Sequence, residues 1–570
     1  MPCRRLLIAF CLVCFAPLWA LEPPTKADLK KYELEGSLDS RLTSALALGN
    51  HLVSPELVRG MKYRFARERL LAAGKKQGGI DRILGLPPGT TGTMPSKGTV
   101  RILALLVSFP DYPAGQSADS IASKLFGDGE GEWPYESLRN FYRRSSYNQL
   151  EIKGNVLGWY TPSYTRASMA QTTTARENLI KEALKYYDDK GHDFLQYDND
   201  GNGALDYFVV IWTGPDNGWA NFWWGYQTSF SDSNFQLDGV RLYRTRYSWQ
   251  WESRPYPGTF SPRVVIHETG HALGLPDYYD YDAKIGPRGG CGGLDMMDSA
   301  FGDHGCFSKL LLDWIAPPVF NHGTQSYSLG ASGNTRDALI LMPDFSTASP
   351  FGEFYMVQNR LRVENDRYYE PGDGLLLWHV DARTNSSGNF LYNNSYSDHK
   401  LLRLMEADGL EEIELGYAAD AEDYWMMGKV FGPESIPSSR RYDGSDSGVS
   451  VLNISPPGQA MTLAADIHYA LFPPLAFSVQ RAENDYIFFK EYINKLSWGP
   501  NSKNRTQIVK HKLYKKDKAS AAGSFVLVAE LGPGVYAYEH RGLKKNELYT
   551  YWLVVLDKNG VESGPAEVSN

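Results

Sequence analysis

Four side chains in one short stretch could do chemistry together: His267, Glu268, His271 and Asp277, within Val264-Val-Ile-His-Glu-Thr-Gly-His-Ala-Leu-Gly-Leu-Pro-Asp277. On a helix, His267 and His271 stand one turn apart on the same face. Neutral imidazole nitrogens suit Zn2+ at about 2.0–2.1 Å, and a carboxylate oxygen is an accepted third ligand at about 2.0–2.2 Å. Gly274 and Pro276 predict the end of that helix, because glycine accepts the left-handed turn that a side chain opposes. The chain then reverses and can bring Asp277 to the cation held by the two imidazoles. Three protein ligands leave a fourth position for water, which separates a catalytic zinc site from a closed structural one. Glu268, beside the first ligand, is the candidate catalytic base that takes a proton as water attacks a carbonyl.

His-Glu-x-x-His alone arises by chance, and two surface histidines on an amphipathic helix would read the same way. The glycine at +7 and the acidic residue at +10 carry more weight. They match the metzincin spacing, in which the +10 residue is usually histidine. About twenty residues on, Gly292-Gly-Leu-Asp295-Met-Met297-Asp298 reads as a Met-turn, with Met297 as an apolar floor under the metal. Cys291 and Cys306 bracket it. Five cysteines are present, three of them (Cys3, Cys11, Cys14) in the first twenty residues. The remaining pair in an oxidising compartment predicts one disulfide, Cys291–Cys306. His304 beside this turn is read as a core histidine that could line the cleft, and His379 as a satisfied core histidine.

A second stretch offers oxygens only. Asp198-Asn-Asp200-Gly-Asn202-Gly-Ala-Leu-Asp206 places them at alternate positions with a glycine for the sharp turn, as a Ca2+ loop begins. Position 12 of an EF-hand would be Val209, so the loop is not an EF-hand; the alternative is an Asp/Asn/Gly turn with no ion. Asp381, Asp408 and Asp423 are weaker candidates for another such site.

These sites need elements to hold them. With 570 residues, 42% hydrophobic and 22% charged, the chain is globular and multidomain. Residues 1–20 read as a signal peptide: Arg4-Arg5, then an apolar run from Leu6 to Phe15 too short to span a membrane, then Ala20. The mature chain is expected outside the cytoplasm, released, periplasmic or on the cell surface, with no membrane span. The net charge of −8 argues against a nucleic-acid partner. Residues 21–96 read as a helical extension or propeptide, with helices over 27–35 and 55–74 and a linker from Leu86. The two alternatives are even. Residues 97–322 read as an α+β catalytic domain: strands at 100–109, 150–156 and 207–212, helices at 133–144 and 178–187. Residues 323–470 read as a β-rich domain, and 474–570 as a β-sandwich.

Taken in order, several segments resemble the immune inhibitor A-like family of secreted zinc metallopeptidases. They are Val100 to Asp111, Phe141 to Ile152, His267 to Asp280, Asp295 to Met297 and Lys309 to Trp314. Gly372 to Asp381 and Glu406-Ala-Asp-Gly409 follow. The resemblance spans roughly 97–465 and implies a metzincin-like zinc endopeptidase acting on protein or peptide substrates, with His267, His271 and Asp277 as ligands and Glu268 as base. It also implies calcium binding. Leu294 and Asp298-Ser-Ala-Phe301 depart from the family's usual residues near the Met-turn, which bears on the cleft and not on the metal. Residues 474–570 resemble a fibronectin type III domain through Trp498, Tyr514 and Tyr549-Thr-Tyr551. An adhesin that uses this domain to hold a host or cell-surface protein is the competing reading.

Overall fold

The computed structural model describes residues 24–570 apart from 73, 86–93, 130, 282–289, 344, 346–351, 369–370, 396–398, 469–470, 488, 505, 519–524 and 559. The signal peptide read at 1–20 and most of the linker read from Leu86 lie outside the described residues. Among the described residues no helix is long and apolar enough to cross a membrane. The chain forms two compact units. The first comprises Met1–Val319, Tyr327–Lys429 and Asn453–Leu463; the second comprises Phe320–Ser326, Val430–Leu452 and Ala464–Asn570.

The first unit is built on a five-stranded sheet in the order Leu150–Tyr160, Gly98–Val107, Tyr207–Trp212, Arg246–Trp251, Tyr226–Ser229. The first four strands run parallel and the last, at the edge, antiparallel. Parallel central strands are covered on both faces and so read as unbroken apolar runs; all six residues of Tyr207–Trp212 are buried. Helix Leu138–Ser145 turns Leu138, Phe141 and Tyr142 inward, while Arg139 and Arg143 reach Glu151 at 2.7 and 2.9 Å. This helix was expected from Trp133. It starts five residues later because Ser137 caps it, accepting the Asn140 amide at 3.1 Å. The helix expected at 178–187 extends over Thr173–Asp188.

Four N-terminal helices, Lys26–Leu34, Leu38–Leu48, Pro55–Ala72 and Gln77–Leu84, also belong to this unit; two of them match the helices read from sequence. So does an antiparallel sheet of Leu339–Leu341, Glu353–Arg360, Gly374–Asp381 and Leu402–Leu404. Its Ile340, Met356, Leu376 and Trp378 share one apolar core with Leu103, Val210 and Trp249 of the first sheet. The boundary read at 322–323 therefore does not separate two compact units, because alternate residues of the second sheet complete the core of the first.

The second unit includes two antiparallel sheets that face each other. One orders Leu475–Asp485, Lys490–Gly499 and Ala537–Leu543; the other Val526–Leu531, Ile508–Asp517, Tyr549–Asp557 and Ala566–Ser569. Leu496 and Trp498 from the first sheet meet Leu513, Tyr551 and Leu553 from the second, which makes a sandwich. The Tyr551 hydroxyl is held at 2.7 Å by both Asn494 and His540.

Candidate metal centre

Helix Arg263–Ala272 carries the two histidines, and every one of its ten residues is buried. It packs against the strands Arg246–Trp251 and Tyr226–Ser229, and its Ile266 carbonyl accepts the Tyr142 hydroxyl at 2.7 Å. Gly274, at φ +103°, ends it, and the chain reverses to Asp277.

The reversal brings the three expected ligands together. Their donor atoms lie within 4.8 Å of one another. Asp277 Oδ1 sits 2.9 Å from His267 Nε2 and 3.3 Å from His271 Nε2. The other nitrogen of each ring is engaged: His267 Nδ1 meets the Met296 carbonyl and His271 Nδ1 the Leu275 carbonyl, both at 2.9 Å. Carbonyls accept only, so each ring carries a proton on Nδ1 and turns Nε2, the nitrogen left to ligate, toward Asp277. Tyr281 donates to Asp277 Oδ2 at 2.7 Å, leaving Oδ1 toward the imidazoles. Burial draws the His267 pKa down, but the hydrogen bond and charge of Asp277 outweigh it and push it up to about 9. The histidines in turn hold the Asp277 carboxyl well below the usual range against the opposing pull of burial. A proton thus bridges the groups that a dication would bridge. Two imidazoles and one carboxylate converging on one point fit a zinc ion.

Glu268 is 1% exposed, and among the described residues its Oε2 has no hydrogen-bond partner. Burial pushes its pKa up to about 7, against the opposing charges of His271 and His267. A carboxylate near neutrality beside a metal site has the properties of a general base. Met297 is fully buried. A Cβ placed on Gly270 would run into its sulfur, so Met297 lies directly against the helix, one residue before His271. The Tyr278 amide donates to the Met297 carbonyl at 2.9 Å, tying the reversal to this turn.

The predicted disulfide is corrected: Cys291 and Cys306 are both free and buried. Cys291 Sγ faces the Leu402 carbonyl at 3.8 Å and the Asn394 amide at 3.6 Å. Cys306 opens helix Cys306–Leu311, its amide held by Gln358. The turn is fixed instead by carboxylates: Asp295 accepts from Met297 N at 2.8 Å, Gly305 N at 2.7 Å and Ser308 Oγ at 2.8 Å. His304 lines no open cleft. It is buried among Phe141, Tyr142 and Trp314 with Nδ1 on Ser145 Oγ at 2.8 Å. His379 is a core histidine bonded to Glu353 at 3.1 Å.

In the stretch 198–206 the carboxylates engage the loop's own amides. Asp198 takes Asn202 N at 3.0 Å and Gly203 N at 2.9 Å, Asp200 takes Asn202 N at 3.1 Å, and Asn202 takes Ala204 N at 2.8 Å. Asp206 accepts from Asn199. Burial and the nearby Asp200 and Asp198 raise its pKa to about 6. Among the described residues the loop is not one of the clusters that bring three ligand atoms within 4.8 Å.

Sequence reasoning missed one feature of the site. The N-terminal helices lie over it. Asp277 N donates to the Asn50 carbonyl at 2.7 Å and Ser54 N to the Gly274 carbonyl at 2.9 Å. The Asn50 amide reaches the Gln227 carbonyl on the edge strand at 3.2 Å. The His51 ring stands 5.4 Å from Tyr281, and Leu57 presses on Gly274. Most of these bonds use backbone atoms, which leave no mark in residue type. The ligands and Glu268 are each no more than 2% exposed beneath this cover.

No protein-family model matches the chain. It is similar to immune inhibitor A of Bacillus thuringiensis subsp. alesti, 26% identical over 269 residues, which cover 37% of this chain and 38% of that protein. It is also similar to the pre-pro-metalloprotease PrtV of Vibrio cholerae, 25% identical over 272 residues, 39% of this chain and 29% of that one. The chain thus matches less than two fifths of either relative's length. Among solved structures, one titled "Myokine structure" matches at 12% identity over 18% of this chain and 96% of its own, with a TM-score of 0.14. That likeness is too slight to bear on the fold.

Proposed function

We propose that this chain, a relative of the immune inhibitor A-like metallopeptidases, is an exported zinc endopeptidase of metzincin type. The observation that carries the reading is the pair of Nε2 atoms, each with its Nδ1 tied to a carbonyl, converging on Asp277 Oδ1. His267, His271 and Asp277 would hold the ion. Bound there, zinc supplies Lewis acidity that polarises the scissile carbonyl and eases deprotonation of water. Glu268 accepts that proton on Oε2, the oxygen without a partner among the described residues, and delivers it to the leaving amine nitrogen. The Nδ1–carbonyl bonds and Tyr281 keep the ligand atoms aimed. Strand Tyr226–Ser229, at the sheet edge beside the helix, is placed to pair with an extended peptide.

The residues from Asn50 to Leu57 occupy the approach to this site, which supports reading 21–96 as a segment that keeps the enzyme latent until displaced. The sandwich of 475–569 is read as fibronectin type III-like, a module for holding a host or cell-surface protein. The loop at 198–206 is retained as a calcium candidate.

Zinc analysis combined with casein digestion tests the enzyme. One zinc per chain is expected, with activity lost to a zinc chelator and regained on adding zinc. Glu268→Gln should keep the zinc and lose peptide hydrolysis by about 10²–10⁴-fold. Full activity in that variant would remove Glu268 as the base.

A further inference from the structure

Beside the third ligand stands a wall of aromatic rings. Tyr281, whose hydroxyl donates to Asp277 Oδ2, stacks on Tyr279 with ring centres 5.0 Å apart, and it meets the Trp219 ring edge-on at 6.1 Å. The two tyrosine hydroxyls lie 3.2 Å apart, and Trp219 hydrogen-bonds the Tyr279 hydroxyl. The polar ends of the three side chains are thus bound to one another and to Asp277. What the wall offers a neighbour is ring surface.

One ring from the N-terminal extension lies against it. His51 stands 5.4 Å from Tyr281, tilted by 41°. Among the described residues its Nδ1 is buried with no partner. Burial draws the His51 pKa down against the opposing pull of Asp277, so the ring is received uncharged. The place therefore suits the plane of the imidazole and not its Nδ1. A phenyl ring there would leave no polar atom unpaired.

The residue before His51 shows where that ring stands along a substrate. Both main-chain groups of Gln227, on the edge strand Tyr226–Ser229, bond outside the sheet. Its amide donates to the Glu268 carboxylate, and its carbonyl accepts Asn50 Nδ2 at 3.2 Å. A peptide pairing with this strand would take that carbonyl from Asn50, directly beside the base. The side chain next to Asn50 therefore marks the pocket nearest the reacting atoms. Trp219, 3% exposed, is covered by the same extension: its amide donates to the Tyr32 hydroxyl at 3.3 Å and its carbonyl accepts from Arg41.

Resting on the peptidase reading above, we propose that Trp219 and Tyr281 set the specificity of the enzyme: they wall a pocket beside the metal centre that takes an aromatic side chain of the substrate next to the bond cleaved, a place His51 fills in the covered chain. The preferred substrates are proteins and peptides with Phe, Tyr or Trp at that position. Rings that meet edge-on or offset at about 4.5–7 Å attract one another beyond the area they bury, an advantage no aliphatic side chain shares.

Mass-spectrometric sequencing of the fragments that the full chain releases from casein tests this. Phe, Tyr or Trp should stand at one fixed position beside most chelator-sensitive cuts. On matched quenched fluorescent peptides, kcat/KM with Phe at that position should exceed that with Ala by about 10-fold or more. Trp219→Leu should lower this ratio by about 2- to 10-fold. Chelator-sensitive cuts without aromatic enrichment, or a ratio that Trp219→Leu leaves intact, would overturn the proposal. A second measurement needs no catalysis. In the full chain His51→Ala empties the pocket, so p-cresol should raise the melting temperature of that variant more than an equal concentration of cyclohexanol does, and His51→Phe should melt no lower than wild type. Equal effects of the two alcohols on His51→Ala would overturn the pocket. Stabilisation by p-cresol together with a complete absence of cleavage would keep the ring pocket and sink the peptidase reading instead.

Discussion

If the segment from Asn50 to Leu57 gates the metal centre, weakening its seat should raise activity without touching any residue of the site. Leu57 is the place to do so. It is 9% exposed, and its Cγ and Cδ1 stand 3.0 and 3.1 Å from where a Cβ on Gly274 would lie. Truncating a buried leucine to alanine costs about 2–5 kcal/mol. Because Leu57 lies at the margin of the core, the lower part of that range applies, about 2–3 kcal/mol. The same loss falls on the equilibrium between seated and lifted cover. At about 1.4 kcal/mol per tenfold, Leu57→Ala should leave the site open roughly 30- to 150-fold more of the time. Hydrolysis of a quenched fluorescent peptide should rise by that factor in chains whose N-terminus is intact, as verified by mass at each time point. Asn50 and Ser54 still hold Asp277 and Gly274 through backbone bonds, so the rise should stop short of that given by excising residues up to about 96. Leu46→Ala, 44% exposed on the preceding helix, should change nothing. A Leu57→Ala chain that melts earlier yet cleaves at the wild-type rate would show that the segment is structural and does not gate.

Two further outcomes bear on the centre itself. Tyr281→Phe removes the 2.7 Å bond to Asp277 Oδ2 and should weaken zinc binding about 10- to 100-fold, read by chelator competition; unchanged affinity would mean that Asp277 is oriented without it. His304 should make the fold acid-sensitive. Burial draws its pKa down to about 3, against the opposing pull of Asp303, below the unfolded value of about 6.5. The unfolded chain takes up a proton in that window and the folded chain does not, so His304 contributes stability above about pH 6.5 that is lost as the pH falls. At about 1.4 kcal/mol per unit, the loss is roughly 2 kcal/mol by pH 5. His304→Gln should flatten denaturant midpoints between pH 6.5 and 5, and an unchanged slope would assign the sensitivity elsewhere.

What could be read in advance divides along a physical line. The triad was legible because side-chain type and helical spacing fix which atoms can meet. Gly274 and Pro276 announced the reversal for the same reason. The partners that aim the imidazoles, the carbonyls of Met296 and Leu275, were not legible, since any residue could supply them. Tyr281 had a signal, a tyrosine-rich run after the third ligand, but three tyrosines competed for one role. The disulfide failed because two cysteines flanking a turn satisfy a count without satisfying a geometry. In the β-rich part, Asp408 and Asp423 were grouped with Asp381. Asp381 is engaged by Arg383 and by His399 at 2.6 Å, and Glu406, two residues before Asp408, takes its place, with one oxygen each of Glu406, Asp408 and Asp423 within 4.8 Å of the others. Choosing between them required knowing which carboxylates already had a cation.

That distinction extends to the whole set of buried acids. A bare oxygen alone says little. Glu252 keeps one while its other oxygen takes the amides of Gly115 and Gln116, and Asp366 keeps one beside Arg360. Asp295, at the turn under the metal, has both oxygens filled by two amides and a hydroxyl. Glu268 and Asp423 differ from these in company. Among the described residues each has an unpartnered oxygen beside groups that could serve as ligands: two imidazoles and a carboxylate in one case, two carboxylates in the other. Burying such an arrangement is unfavourable by several kcal/mol unless an ion or water fills it. The turn from Gly290 to Met297 lies between the two, touching Ile413 and Ala419 at its start and the histidine helix at its end.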